Sequence, residues 1–355
     1  MRRGWAYIAL NRLISPMQSR LAQLGIPLVL ALAFPSCLMR ADSWQRLPAT
    51  GLQAGPPWAT STDPDLLSDP PPFLSEPSDP DSIDGDSVRP NFAELMRPTV
   101  TVAAEWQAEA SDVDVMWYRA TVQMPTYPFL GPPPPMINGG FAYTSLSAPE
   151  AWDLPADLYD YSLGASWMRP ISERWMLRLM ASVALATDGQ NTSSDAWQFR
   201  GGLFGTYRPN DQWTWILGVL ALGRNDLPVV PAVGAIWQPL PPLRFDLTFP
   251  RPRASWLLLD NGPRQQWGYL GGGLEGGTWG FERAGGVDDQ LTYRDWRVVL
   301  GWESVPTPEP GMPFSRGRKL GVEVGYVFAR EFEFSGGAPS LEIDNTLLLR
   351  ASAGF

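Results

Sequence analysis

The chain has 355 residues, 44% of them hydrophobic and 18% charged, with 34 glycines, 37 prolines, no histidine, one cysteine and a formal charge of −10. Without histidine there is no Ser-His or Cys-His nucleophile and the commonest metal ligand is missing, and one cysteine makes neither an internal disulfide nor a zinc or iron–sulfur cluster. The negative balance argues against nucleic acid as a partner, and the glycine and proline load favours turn-rich β structure over helix bundles.

Residues 1–41 open with Arg2 and Arg3 and reach the apolar run from Gly25 to Phe34. That run is long enough for a signal-peptide core and too short to cross a bilayer as a helix, so export is the expectation. A start at Met17 would give a signal of more ordinary length. Cleavage near Ala41 fits better than lipidation at Cys37, which lacks the small residues a lipoprotein signal needs before its cysteine.

Residues 42–96 are rich in proline and acids, with Asp79, Asp81, Asp84 and Asp86 among them and only Arg46 and Arg89 opposed, and they carry most of the net charge. Such a segment has too little apolar surface to offset chain entropy and is expected to be a solvated, disordered leader. The acidic cluster does not make an EF-hand, because Ile83 stands where an oxygen ligand is needed and no bidentate glutamate follows.

From Pro98 the chain alternates with a period of two. Val100, Val102, Ala104, Trp106 and Ala108 oppose Glu105 and Gln107, and Met116, Tyr118, Ala120, Val122 and Met124 oppose Arg119, Thr121 and Gln123. Further runs follow around Ile137–Thr144, Tyr159–Trp167, Trp175–Leu185 and Trp197–Tyr207, the last two setting Arg178 and Arg200 against an apolar face. Trp213 to Gly223 is apolar on both faces but spans about half the length a transmembrane helix needs, and reads as a strand. The turns at 169–173 and 209–212 are tight and the loop between them is longer, an asymmetry found in outer-membrane barrels.

The middle, PAVGAIWQP at 231–239 followed by LRFDLTFPRP at 243–252, resembles the central signature of an uncharacterised family of predicted bacterial outer-membrane β-barrels filed as a domain of unknown function. The resemblance extends more loosely over 98–355. It implies fold and location, and carries no catalytic residue with it. Prolines 239, 241, 242, 250 and 252 mark turns, since none can sit inside a ladder. The glycine-dense stretch 271–280 is read as letting strands bend; no helix or lysine follows to make a phosphate loop.

Trp296, Val298, Leu300 and Trp302 then oppose Arg297 and Glu303, and Leu320 to Phe328 place Glu323 on the other face. The last strand sets Leu347, Leu349, Ala351, Ala353 and Phe355 against Thr346, Arg350 and Ser352, with Leu348 breaking the polar set. It resembles the closing strand of outer-membrane barrels, whose terminal phenylalanine is read by the insertion machinery, which implies that role for Phe355.

Trp167, Trp175, Tyr207, Trp213, Trp237 and Trp302 lie beside proposed turns, as an interfacial girdle would, while the charges sit mid-strand. A closed antiparallel transmembrane β-barrel of about 12 to 14 strands accounts for this better than a secreted sandwich. Its expected partners are outer-membrane lipid, the insertion machinery and small polar solutes, with no cofactor. Glu105, Arg119, Arg178, Arg200, Arg297, Glu303, Glu323 and Arg350 are expected to line the lumen. The functional expectation is a porin-like passive channel; the alternative is a non-conducting barrel that anchors an acidic leader bound to a periplasmic partner. Catalysis is not expected, because salt bridges account for the mid-strand acids with less.

Overall fold

The computed structural model describes residues 97–131, 133–224, 228–307 and 317–355; the signal segment, Cys37 and the acidic leader lie outside them. The described chain is almost entirely strand: β1 (Thr99–Ala110), β2 (Val113–Pro125), β3 (Met136–Ser147), β4 (Asp157–Pro170), β5 (Trp175–Thr187), β6 (Trp197–Asn210), β7 (Trp213–Ala221), β8 (Val229–Leu240), β9 (Leu243–Asp246), β10 (Arg253–Asp260), β11 (Arg264–Arg283), β12 (Val287–Pro306), β13 (Lys319–Phe334), β14 (Leu341–Ile343) and β15 (Thr346–Gly354). Each of β1 to β13 pairs antiparallel with the next, β13 pairs with β15, and β15 pairs with β1, where Glu105 stands opposite Arg350. β14 and β15 follow one another along β13, so they form one interrupted stave and the ring closes at 14 staves. The short β9 and β10, on either side of the stretch that holds Pro250 and Pro252, are separate staves of this ring.

Ring closure gives each described stave a neighbour on both sides, and the period of two then sorts every strand into an outer and an inner face. The outer face is apolar and uncovered: Leu163 is 66% exposed, Phe199 75% and Leu347 64%. Burying one such side chain is worth about 1.5–3 kcal/mol, so a continuous belt of them is a large cost in water and none in acyl chains. Among the described residues no helix is long and apolar enough to cross a membrane; the strands cross it.

Two aromatic rows border the belt. At the end that carries both strand termini, Trp175 packs on Tyr207 and Trp213 on Trp237, which stacks on Phe245. Toward the other end, Tyr118, Tyr143, Tyr159 and Tyr161 stack in succession across β2, β3 and β4. Rows of this kind sit at the headgroup levels of a bilayer. The first row includes residues read from the sequence beside turns; the tyrosine row went unread because it lies within strands. The short-turn, long-loop asymmetry also holds only for the middle hairpins: at the terminus end, 126–135 connects β2 to β3 at length, whereas 111–112 at the far end is tight.

The far end rises beyond the belt. On β12 the outward apolar run covers Trp296 to Trp302, and just above it Arg294 pairs outward with Glu331 at 2.5 Å and Glu333 at 2.9 Å. A bulge between Arg294 and Trp296, opposite Ala329 with φ of 49°, inserts one residue into β13. Even-numbered residues of β13 face outward below the bulge and inward above it, which is how Arg330 and Phe332 become buried.

Candidate functional site: the barrel interior

The inner face is arranged in two levels. Within the membrane-spanning level lies a network centred on Arg297. Its guanidinium holds Asp295 at 2.7 Å and Glu105 at 3.0 Å, with Glu275 at 3.6 Å. Gln107 donates to Glu105 at 3.2 Å and accepts from the Tyr293 hydroxyl at 2.9 Å, which in turn accepts from Arg330 Nε at 3.2 Å. Glu275 also pairs with Arg251.

A second chain of contacts runs around the lumen. Arg253 binds Glu303 at 2.5 Å and lies 3.6 Å from the centre of the Tyr269 ring; the Tyr269 hydroxyl donates to Glu323 at 2.6 Å. Glu323 stands 3.9 Å from Arg350, whose guanidinium is 5.5 Å from the Trp117 ring, and Arg119 sits 4.4 Å over that same ring. Pairs of this kind in a low-dielectric interior hold only when both partners are engaged, since leaving one buried charge alone is costly. Arg200 forms a separate pair with Asp160 at 2.5 Å and is braced by Gln198.

All eight residues singled out from the sequence lie on the inner face. The structure brings Glu105 and Arg297 together in one network and Glu303, Glu323, Arg350 and Arg119 along the other. Arg200 stands apart with Asp160, and Arg178 lies on β5 opposite Phe204 of β6 in the register. Phe355 is half exposed and its backbone pairs with Val100 at 2.8 Å and 3.1 Å. Sequence reading missed Arg253, Tyr269 and Glu275. Arg253 follows two prolines and was absorbed into a turn, while Tyr269 and Glu275 border or lie among the strand-bending glycines.

Apolar residues also point inward. Met180, Phe204, Ile216, Leu220, Ala232 and Ile236 form one cluster on β5 to β8, and Tyr269, Val299, Val327 and Leu348 form another. This explains the two-faced apolar strand at 213–223 and the apparent break at Leu348: both sides of these segments are dry.

The outer level is closed. Beyond Gly271, β11 has no β10 residue opposite it; it bends at Gly273 and Gly276, whose φ values of 152° and 137° suit glycine alone, and leans across to β5, pairing Gly280 with Thr187. There Gln198 donates to the Thr278 carbonyl at 2.6 Å, Gln290 to the Asp195 carbonyl at 2.7 Å, and the Glu282 amide to Asp188 at 2.9 Å. Under this hairpin Val113, Leu146, Leu158, Phe281, Leu291 and Phe332 pack into an apolar plug, several of them fully buried.

A closed antiparallel barrel with a lipid-facing belt between aromatic rows is the architecture of the bacterial outer membrane, and that is where this chain resides. No curated protein matches the sequence. Solved structures to which it is similar include a bacterial polysaccharide outer membrane secretin (9% identity, 73% of this chain and 97% of that one, TM-score 0.37) and the KdgM porin (10%, 72% and 98%, 0.32). An outer membrane channel from Pseudomonas putida F1 is another (12%, 73% and 96%, 0.35). At such scores these likenesses add nothing to the barrel already described. Residues 135–255, from just before β3 into β10, match the family described as domain of unknown function (DUF6268).

Proposed function

We propose that the barrel is a porin-like passage for small polar solutes, narrowed within the membrane by the arginine–carboxylate networks and shut toward its outer end by the apolar plug. The observation that carries this is the division of inward charge. On β5 to β10 Arg178, Arg200, Arg244 and Arg253 stand with Asp246, whereas on β1 and β11 to β13 Glu105, Glu275, Asp295, Glu303 and Glu323 stand with Arg297, Lys319 and Arg330. Facing rows of opposite sign set a transverse field that selects solutes by size and charge. No catalytic step is needed, because the inward carboxylates are held by arginines.

Planar-bilayer recording of the refolded protein tests the reading. Wild type should show small, infrequent conductance, and the double variant Phe281→Ala with Phe332→Ala, which hollows the plug, should raise it several-fold. Silence from both would leave the second reading, which the filled outer level favours: a non-conducting barrel that anchors the acidic segment 42–96 for a periplasmic partner. Deleting that segment should leave a channel conducting and should cost an anchor its partner.

A further inference from the structure

We infer that the acidic segment preceding the barrel docks, through its stretch 66–77, on the barrel's own terminus end, an inference that holds whether or not the interior conducts. That end carries a built apolar surface. In the loop 126–135 the Thr126 amide and hydroxyl donate to the Pro135 carbonyl at 2.8 Å and 2.9 Å, and the Gly131 amide donates to the Pro128 carbonyl at 3.0 Å. The loop is thus held by its own backbone, yet it presents Tyr127 at 71% exposure and Phe129 at 67%. In the tight turn between β4 and β5, Ile171 is 64% exposed, and the Arg169 guanidinium beside it donates to the Leu130 carbonyl at 2.7 Å. Loop and turn are therefore one surface. Arg97, Arg169 and Arg174 are exposed on it, with Glu173 the acid beside them. Large apolar side chains held in the open and rimmed by charge mark an interaction site.

The occupant follows from where the chain enters the barrel and from what precedes that point. Thr99 stands opposite Gln123, which puts Arg97, and with it the end of the acidic segment, at the root of the 126–135 loop. Within that segment one pattern occurs twice, as Leu66-Leu67-Ser68-Asp69-Pro70 and as Phe73-Leu74-Ser75-Glu76-Pro77. Each copy offers an apolar pair for Tyr127, Phe129 and Ile171 and, two residues on, a carboxylate for a guanidinium. Reach is not limiting. About 20 residues separate Pro77 from Arg97 and can span up to about 66 Å at about 3.3 Å each, whereas the β4–β5 turn lies within about 20 Å of β1 at about 4.8 Å per stave. Tethering also makes the contact intramolecular, at an effective concentration on the order of mM, where a separate partner protein has to bind from solution.

Thiol crosslinking within the full-length refolded protein, in a Cys37→Ser background and at high dilution in detergent, tests this. Ser75→Cys combined with Ser172→Cys, in the β4–β5 turn, should be joined by a short bifunctional reagent several-fold more often than Ser75→Cys combined with Asn261→Cys. Asn261 is an exposed residue of the β10–β11 turn, at the same end and on the other side of β1 around the ring. Phe129→Ser with Ile171→Ser, and separately Asp69→Asn with Glu76→Gln, should each abolish most of that preference. The faster migration of unboiled protein on SDS gels, which reports the closed barrel, should stay in every variant. Equal joining at 172 and 261 would mean that the segment is tethered and undocked, and would overturn the inference, as would a preference that survives both pairs of changes. In phosphatidylglycerol vesicles the preference should persist; its loss there would assign the surface to anionic lipid and overturn the inference as well.

Discussion

Arg297 shows how far single residues were legible. The alternation of Trp296, Val298, Leu300 and Trp302 was enough to set Arg297 and Glu105 on a common face, because the period of two is a local property of the backbone. Their pairing was not legible: they are 192 positions apart, and only the closure of β15 onto β1 and β13 brings them within 3.0 Å. The consequence is testable. Arg297→Met leaves Glu105, Asp295 and Glu275 without their shared counter-charge, and removing one partner of a buried ion pair costs about 3–5 kcal/mol. Urea unfolding in detergent should show a loss of that order. Adding Glu105→Gln and Asp295→Asn to Arg297→Met should restore most of it, since charges removed together leave nothing unpaired.

Among the elements, the β11–β12 hairpin departs furthest from what alternation predicts. Its glycines were read as points of bending, and two of them are: a Cβ on Gly276 would lie 2.0 Å from the Tyr293 carbonyl oxygen. What no local pattern could reveal is where the bent hairpin lands, on loops contributed by β3–β4 and β5–β6. Its tip is clasped by Asp289, above the membrane belt, which accepts from Gln290 N–H, Arg283, Ser335 and Gly336 N–H. Burial alone would raise this carboxyl's pKa, but those donors outweigh it and hold the group below the ordinary aspartate range. A depressed folded pKa means that the stabilisation is complete above the unfolded value, about 3.9, and is lost as pH falls through the lower folded value. Conductance should therefore rise on acidification below about pH 4. Asp289→Asn should raise conductance at neutral pH and flatten its pH dependence in the same recordings. Gly276→Ala should unseat the hairpin at every pH, because both its φ and its neighbour forbid a side chain.

At the scale of the whole molecule, the decisive question is which solvent meets the apolar face, and the strands alone leave it open because a sandwich alternates as a barrel does. Closure decides it. A sandwich would press Leu163, Phe199 and Leu300 against a second sheet, whereas here they are 66%, 75% and 54% exposed around a ring that has no partner sheet among the described residues. Such a surface requires acyl chains, so the protein should need detergent for extraction and should migrate faster on SDS gels before boiling than after, because a closed hydrogen-bonded ring resists unfolding by SDS in the cold. Leu300→Arg places a charge on the outer face of β12 between the aromatic rows, where a cation at the bilayer midplane costs about 2–4 kcal/mol, and should lower the temperature at which the folded band disappears. Exchanging the neighbouring inward Val299 for threonine keeps the lipid face intact and should leave that temperature much nearer to wild type. A larger fall for the inward change than for Leu300→Arg would mean that the apolar belt faces protein and that the inside and outside of this barrel have been assigned the wrong way round.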